Sequence, residues 1–322
     1  MKPFYRIILS LLLACIICQL AFLIASREAG KCEHEKMDEL FVRPTAYNCL
    51  LLGSSSIHYF INPAIFDRVT GLHSINSGID GANLFEVNMI LNAYLLVHPA
   101  PEYIVLTLDL GSFNLGQKIK TSMPYRPYLS NTILEKTLEK AAPIPWRFRL
   151  LPFLHFTDDE YPILADALKG LLENQQKLGH EFQYKGYSTN TLLEMSNADT
   201  ITRFMSQPVD EEGVQLLEHI IDLCNSKNIK LLLTSAPEYN KNYQRHVLDS
   251  KEIFKKITHI ASTRQLDFVR EDTLRLCEHR EFFRNTEHLN TSGAAYYSII
   301  IGNQVRKKLN IGSTNQDGVK KR

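Results

Sequence analysis

The sequence predicts an α/β protein, a three-layer sandwich around a central parallel sheet that is preceded by one N-terminal transmembrane helix. Three observations lead to this prediction. Short apolar runs that end at turn residues recur along the chain, which is typical of buried parallel strands. Segments of helical period alternate with them, as in sheets that carry helices on both faces. The chain also begins with a long apolar run.

The apolar run Ile7–Ala25 is interrupted by only two polar residues, Ser10 and Gln19. As a helix with a rise of about 1.5 Å per residue it spans roughly 28 Å, close to the hydrocarbon thickness of a bilayer. The run is long for a signal peptide, and it continues well past Cys15, the residue that would mark a lipoprotein cleavage site. We therefore expect an uncleaved anchor over residues 1–26, with a cleaved signal peptide or a lipoprotein as alternatives.

Basic residues lie on both sides of this predicted anchor, so their count does not set its orientation. A long C-terminal domain is translocated largely regardless of charge. The layout is that of a signal anchor, and we expect the domain to lie outside the cytoplasm, in the periplasm or the extracellular space. The polar stretch at 27–45 is expected to be a linker between the anchor and the domain.

The domain itself is expected at 46–310. Its strands are predicted in the segments NCLLLG, LHSIN, EYIVLTLDL, IKLLLTS and, more weakly, LDFVRED. Helices are predicted at 83–97, with Asn83 as the N-cap, at 210–228, where apolar residues line one face, and at 292–309. Each helix follows or precedes a strand, as the alternating pattern requires.

Two regions do not follow this alternating pattern. Residues 112–207 hold the single tryptophan and a polar, aromatic run, and we expect a helical or irregular insertion there. Residues 311–322 are polar, and we expect a disordered tail. The net charge of +1 and the absence of a basic patch argue against a nucleic-acid partner. No metal-ligand spacing, P-loop or dinucleotide fingerprint occurs, so we expect neither a metal nor a cofactor.

Candidate catalytic residues follow two of the predicted strands, at the sheet edge where open α/β proteins form their sites. The segment GSSS follows the first strand, NSGIDGA follows the second, and NTEHLN precedes the last helix. A serine nucleophile needs a base within hydrogen-bond reach and donors for the oxyanion. His288 is the candidate base, and Gly81 offers a backbone N–H that a substrate can approach closely. The residues alone do not choose among the three serines, and each segment is also compatible with a turn or a helix cap.

The segments LLGSSSIHYFINP, INSGIDGA and NTEHLNTSGA, in this order, resemble the SGNH (GDSL-like) hydrolase and acyltransferase superfamily. They are most similar to its membrane-anchored branch, which includes the alginate O-acetyltransferase proteins and the D-alanyl-lipoteichoic-acid transfer protein. The resemblance implies a flavodoxin-like sandwich in which Ser55 is the nucleophile, His288 the base and Gly81 an oxyanion donor. It also implies an esterase or O-acyltransferase for acyl esters of cell-envelope glycans, with a separate membrane acyltransferase as partner.

The sequence departs from this family's pattern in two places. Asn285 stands where the family has the aspartate of Asp-x-x-His, and the third block, Gly-x-Asn-Asp, is not recognisable near Asp109 and Asn114. An amide can hold a histidine ring, as in Cys-His-Asn sites, but Asp to Asn in a trypsin-like triad lowers turnover by about four orders of magnitude. Three readings follow: a slow Ser-His-Asn site, a site in which Asp267 or Asp272 replaces Asn285, or a degraded glycan-binding or assembly component of an envelope polysaccharide complex.

Overall fold

The computed structural model describes residues 2–29, 31–120, 122–143, 145–147, 151, 153–154, 185–189 and 201–319. The chain divides into two compact units. The first contains the described parts of Met1–Asp38 and Thr121–His180, and the second contains those of Glu39–Lys120 and Glu181–Arg322. The second unit holds the sheet and all the residues that we consider as a site.

The first unit begins with helix α1, Lys2–Ala29. Its segment Pro3–Phe22 is long and apolar enough to cross a membrane, and a signal sequence near an N-terminus meets the same criteria. Helix α2, Lys31–Phe41, follows and continues into the second unit, so a helix occupies much of the stretch where we expect a linker.

Between residues 121 and 180 the first unit contains a 3₁₀ helix, Met123–Tyr128, and an α-helix, α6, Thr132–Ala141. Asn131 caps α6, since its side chain accepts hydrogen bonds from the backbone of Ile133 at 3.1 Å and Leu134 at 3.4 Å. Both elements fall in the predicted insertion at 112–207. The rest of that prediction lies largely outside the described residues, including 155–184 and 190–200.

The second unit is built on a five-stranded parallel sheet with the strand order β2-β1-β3-β4-β5. Its strands are β1 Cys49–Leu52, β2 Ser74–Asn76, β3 Tyr103–Thr107, β4 Lys230–Thr234 and β5 Phe268–Val269. All four pairings are parallel, which confirms the predicted sheet. Strand β2 lies on one side of β1, and β3 lies on the other. Open α/β sheets form their ligand crevice at such a switch point in the strand order, here between β1 and β3.

Seven α-helices lie wholly in the described part of the second unit. They are α3 Ser55–His58, α4 Pro63–Thr70, α5 Leu84–Val97, α7 Glu211–Ser226, α8 Asn242–His246, α9 Ser250–Thr263 and α10 Thr291–Val319. Short 3₁₀ helices lie at Tyr239–Lys241, Glu271–Thr273, Arg275–Glu278 and Arg280–Phe282. Helix α10 continues to Val319, so helix covers residues 311–319, where we expect a disordered tail.

Local sequence explains the helices that were predicted. Asn83 caps α5 by accepting hydrogen bonds from the backbone of Phe85 at 3.1 Å and Glu86 at 3.3 Å. The apolar stripe of α7 is buried, as its helical spacing predicts. This stripe comprises Val214, Leu217, Ile220, Ile221 and Cys224. On the other side of the sheet α10 packs against α4, and both contribute to a core with β1, β3 and β4.

Glu271 is an acid that lies buried beside this core. Its Oε1 accepts a hydrogen bond from Gln304 at 2.8 Å, and its Oε2 has no partner among the described residues. Burial raises the pKa of the Glu271 carboxyl to about 7. The bond from Gln304 lowers this pKa, and the charge of Asp272 raises it further. The folded state therefore holds this proton more tightly than the unfolded chain does.

This raised pKa predicts a pH-dependent stability. The contribution of the Glu271 proton to the free energy of unfolding is fully present below about pH 4.5, where Glu271 is protonated in both the folded and the unfolded state. This contribution is lost as the pH rises to about 7. Glu271→Gln removes the charge, so we expect the variant to be more stable than wild type at pH 8, by up to roughly 3 kcal/mol. The two proteins should converge at pH 4. Urea unfolding at both pH values tests this, and equal gains at both would contradict the assignment.

Candidate active site

The turn after β1 presents three serines in a row, and the structure gives each a different environment. Gly53 joins the strand to α3 with a φ of +154°, and a Cβ there would lie 2.8 Å from Ile57 Cγ1 and 3.0 Å from the Thr107 carbonyl oxygen. Only glycine fits this close approach without displacing backbone. The tight turn places Ser54 at the N-cap of α3 and Ser55 at its first residue.

All three serines line the cavity, but only Ser55 bonds to His288. Ser54 Oγ donates to Asp109 Oδ2 and lies 3.3 Å from Ser56 Oγ, and both serines are buried. The Ser55 hydroxyl is half-buried and lies 2.9 Å from His288 Nε2. The structure thus brings the predicted nucleophile and the predicted base into direct hydrogen-bond contact.

His288 is held in a tight loop between β5 and α10. Phe283 and Leu289 pair as an isolated antiparallel bridge, and the backbone N–H of Arg284 donates to the His288 carbonyl oxygen at 2.9 Å. The segment therefore folds back on itself, and His288 lies where the loop closes. The rings of Tyr59 and Phe60 stand nearly perpendicular to the imidazole, at centroid distances of 5.9 and 6.2 Å.

Asn285 Oδ1 lies 3.1 Å from His288 Nδ1, so the amide occupies the third position of a Ser-His-Asn arrangement. The same oxygen also accepts the backbone N–H of Glu287 at 3.0 Å and that of His288 at 2.8 Å. A backbone N–H can only donate, so these two bonds require the amide oxygen, rather than its NH₂ group, to face the ring.

This orientation of Asn285 sets the tautomer of His288. Because an oxygen faces Nδ1, that nitrogen must carry the hydrogen, and Nε2 is left as an acceptor for the Ser55 hydroxyl. A general base for serine needs this tautomer. An asparagine that turned its NH₂ group toward the ring would impose the opposite one. The backbone of the loop thus avoids the defect that Asp to Asn creates in a trypsin-like triad.

The environment of His288 favours its neutral form. Burial lowers the pKa of the imidazole below the usual 6.5; the charge of Asp80 opposes this shift, and the charge of Arg284 adds to it. Since only neutral imidazole accepts a proton, any rate that depends on His288 should hold through neutral pH and fall only below about pH 6.5. A rate profile from pH 4.5 to 8 measures this, and an acid limb with its midpoint above 7 would contradict it.

Two backbone N–H groups of this site are candidates for binding an oxyanion. Within the residues that the structure covers, neither the Ser55 N–H nor the Gly81 N–H donates to a protein acceptor, and both residues line one cavity. The turn that carries Gly81 is anchored by Asn76, which is buried and donates to the carbonyl oxygens of Ile57 at 2.7 Å and Ile61 at 2.9 Å. Gly81 remains the predicted oxyanion donor, while Asn76 has a bracing role.

Both candidates for the missing third block are already hydrogen-bonded to other side chains. Asp109 accepts from Ser54, and burial raises the pKa of its carboxyl, against smaller lowerings by the bonds from Ser54 and Ser56. The Asn114 amide donates to Gln207 Oε1 at 2.9 Å and accepts from Gly116 at 3.0 Å. Both residues line the cavity; Asp109 is used as an acceptor by Ser54, and one of the two N–H groups of the Asn114 amide is used by Gln207.

The carboxylates that we considered as replacements for Asn285 are engaged elsewhere. Asp272 pairs with Arg270, and Asp267 pairs with Lys308. Of the described residues, only Ser55 and Asn285 hydrogen-bond the ring nitrogens of His288. The neighbouring Glu287 lines the cavity without reaching the ring.

The cavity at the switch point of the sheet has a volume of about 400 Å³. Its walls combine hydrogen-bonding side chains with acids, and most of these residues carry no recognisable motif, so sequence reasoning missed them. Burial raises the pKa of Glu238, one of the acids, to about 7. The polar side chains that line the cavity include Asn83, Asp109, Asn114, Gln117, Lys120, Gln207, Glu238, Tyr243, Asp272 and Glu287.

No protein-family model matches the chain, and comparison with curated proteins gives no match. Two solved structures of low similarity are acylhydrolases by description. One is from Bacteroides fragilis NCTC 9343, and its description as an acylhydrolase is provisional. It is 10% identical to this chain with a TM-score of 0.39, and the match covers 85% of this chain and 94% of that chain. The other, the lipase/acylhydrolase from Enterococcus faecalis, is 12% identical with a TM-score of 0.38, over 81% and 95%. Similarity of this degree assigns neither family nor activity, so function must follow from the site itself.

Proposed function

We propose that this chain is a membrane-anchored serine esterase or O-acyltransferase, related to the SGNH hydrolases, that acts on acyl esters of cell-envelope glycans. One observation carries the catalytic part. Ser55 Oγ lies 2.9 Å from His288 Nε2, while Asn285 Oδ1, fixed by two backbone N–H groups, holds Nδ1 at 3.1 Å. A binding protein has no need of this hydrogen-bonded series, and a serine nucleophile requires it.

The chemistry follows from these contacts. Ser55 Oγ attacks the ester carbonyl carbon as its proton moves to His288 Nε2, and the carbonyl oxygen becomes an oxyanion that accepts the N–H groups of Ser55 and Gly81. Collapse of this intermediate breaks the carbon–oxygen bond to the leaving alcohol, which takes the proton from His288. A second alcohol or water then gives its proton to His288 and attacks the acyl-Ser55 ester. Collapse of this second intermediate breaks the bond between the acyl carbon and Ser55 Oγ, and His288 returns the proton to Oγ, which restores the free enzyme.

The choice of acceptor separates an esterase from a transferase. Attack by water gives hydrolysis, and attack by a glycan hydroxyl gives acyl transfer. The cavity of about 400 Å³ exceeds the needs of an acetyl group, and the amide and hydroxyl side chains of Gln117, Gln207 and Tyr243 are suited to bonding sugar hydroxyls. These features support a glycan as acceptor or substrate.

The cellular setting is part of the proposal. A 20-residue apolar segment in α1 would hold the chain in the membrane, with the domain in the periplasm or extracellular space. An envelope glycan and a separate membrane acyltransferase that supplies the acyl group would then lie on the same side. This partner is proposed from the resemblance to the membrane-anchored SGNH branch.

Burst kinetics test the proposed activity. The full-length protein in detergent is mixed with p-nitrophenyl acetate, and nitrophenolate release is followed from milliseconds to minutes. We expect a burst equal to the enzyme concentration, followed by a slower phase that added glycan accelerates if the enzyme is a transferase. A folded protein that gives no burst yet binds glycan would support the alternative, a degraded member of the fold that acts in binding or assembly.

Membrane retention tests the proposed anchor. After alkaline carbonate washing, the protein should stay in the membrane fraction at its full-length mass. A control chain that begins at Glu35 lacks the apolar segment and should appear in the soluble fraction. A cellular product whose N-terminus lies near Cys15 or Ala25 would contradict an uncleaved anchor.

A further inference from the structure

The cavity walls are acidic, which is unfavourable for a reaction that develops negative charge. Asp109, Glu238, Asp272 and Glu287 all line the cavity that contains Ser55. Burial raises the pKa of the Glu238 carboxyl to about 7 and raises that of Glu287 in the same direction, and carboxylates in this position oppose a nearby oxyanion when ionised. Above about pH 7, where Glu238 ionises, two neutral backbone N–H groups alone would have to overcome this field.

Lys120 is the single lysine or arginine that lines this cavity within the described part of the chain. Its side chain lies against Gly81, the residue whose N–H we assign to the oxyanion. A Cβ on Gly81 would lie 2.9 Å from Lys120 Cδ and 3.0 Å from its Nζ. The glycine, with a φ of +73°, thus leaves the space that the stem and ammonium of Lys120 occupy.

The ammonium of Lys120 is available to a substrate. Within the described residues it forms no ion pair or hydrogen bond. Its neighbour Lys118 differs, because Lys118 Nζ donates to both carboxylate oxygens of Glu212, at 2.6 and 2.8 Å. Two lysines of one loop therefore have different roles: one joins the loop to α7, and the other faces the cavity.

The loop that carries Lys120 is fastened to the turn that carries Gly81. Asn83 Nδ2 donates to the carbonyl oxygens of Asn114 at 3.1 Å and Gln117 at 2.9 Å. The Gln117 side chain in turn donates to the Lys120 carbonyl oxygen at 3.1 Å. These bonds fix the backbone of Lys120 relative to Gly81 and do not depend on the Lys120 side chain.

We infer that Lys120 is a further catalytic residue of this site, a cationic donor that stabilises the oxyanion together with the N–H groups of Ser55 and Gly81. It supplies a charged third donor at a site where Asp109 accepts from Ser54 and Asn114 is bound to Gln207. As Ser55 Oγ bonds to the carbonyl carbon, the carbonyl π electrons move to oxygen, and the ammonium neutralises that charge without transferring its proton. The inference rests on the proposed acyl-transfer function.

The acylation burst of the full-length protein with p-nitrophenyl acetate provides the test. This ester is neutral, so Lys120 gains no ion pair with the ground state and should act on the transition state alone. Lys120→Met keeps a side chain of similar shape, and we expect its burst rate constant to fall roughly 10- to 100-fold. This decrease is smaller than the one expected when a buried oxyanion donor is removed, because Lys120 is exposed. The half-saturating ester concentration should not change.

Two matched variants separate charge from shape. Lys120→Arg keeps the positive charge and should retain most of the rate, whereas Lys118→Met removes the neighbouring charge and should leave the rate constant unchanged. A wild-type rate in Lys120→Met, or an equal loss in Lys120→Arg, would overturn the role of Lys120 while the esterase proposal stands. Absence of a burst in the wild type itself would overturn both.

Discussion

Ser55→Ala and His288→Ala are each expected to lower acylation by p-nitrophenyl acetate by at least ~10³-fold, because each removes half of the hydrogen-bonded pair that generates the nucleophile. The double variant should be no slower than either single variant, since the two groups act as one unit. Stopped-flow measurement of the burst, with circular dichroism as a check on folding, gives the three rates.

Ser56→Ala is the matched control for this experiment. Ser56 follows the nucleophile directly, but its hydroxyl is buried and lies 3.3 Å from Ser54 Oγ rather than facing His288. We expect its rate to stay within about tenfold of wild type. A Ser56→Ala loss as large as that of Ser55→Ala would show that the wrong serine has been assigned.

Asn285→Asp should raise the acylation rate. A carboxylate keeps an acceptor for the two loop N–H groups and for Nδ1, and its charge stabilises the imidazolium that forms as Ser55 attacks. Because the tautomer of His288 is already correct, the gain should be smaller than the about 10⁴-fold effect in a trypsin-like triad, roughly 10- to 100-fold. The same charge raises the pKa of His288, so the acid limb of the rate profile should move to higher pH.

Asn285→Ala provides the opposite change. It removes the acceptor of three N–H groups at once, so the loop loosens and Nδ1 no longer has a fixed partner. We expect a loss of roughly 10²-fold or more, with the fold of the sheet intact. Burst rates across pH 4.5 to 8 for both variants test the series, and a decrease or no change in Asn285→Asp would contradict the role of Asn285.

The sheet could be predicted from sequence because each of its strands is a short apolar run between turn residues. Parallel strands are buried on both faces, and Cys49–Leu52 is buried throughout, as such a run requires. The weak fifth run gave the shortest strand, Phe268–Val269, whose residues are only half-buried. The cap of α5 was predictable too, because the Asn83 side chain bonds to the backbone two or three residues further on.

The site was only partly predictable. The choice of Ser55 among three serines came from family resemblance, since its reason is a contact with His288, 233 residues away in the chain. The orientation of Asn285 depends on backbone N–H groups whose direction no residue pattern reveals. Lys120 and Glu238 reach the cavity from separate loops and carry no motif, so only the folded chain brings them together.

The central claim is that Ser55 is an activated nucleophile, and reaction with a fluorophosphonate tests it most directly. The full-length protein in detergent is incubated with the reagent, weighed intact and digested to locate the adduct. We predict one adduct on the wild type, located at Ser55, and none on Ser55→Ala or His288→Ala. A folded wild type that gains no mass, or an adduct that persists in Ser55→Ala, would contradict this account.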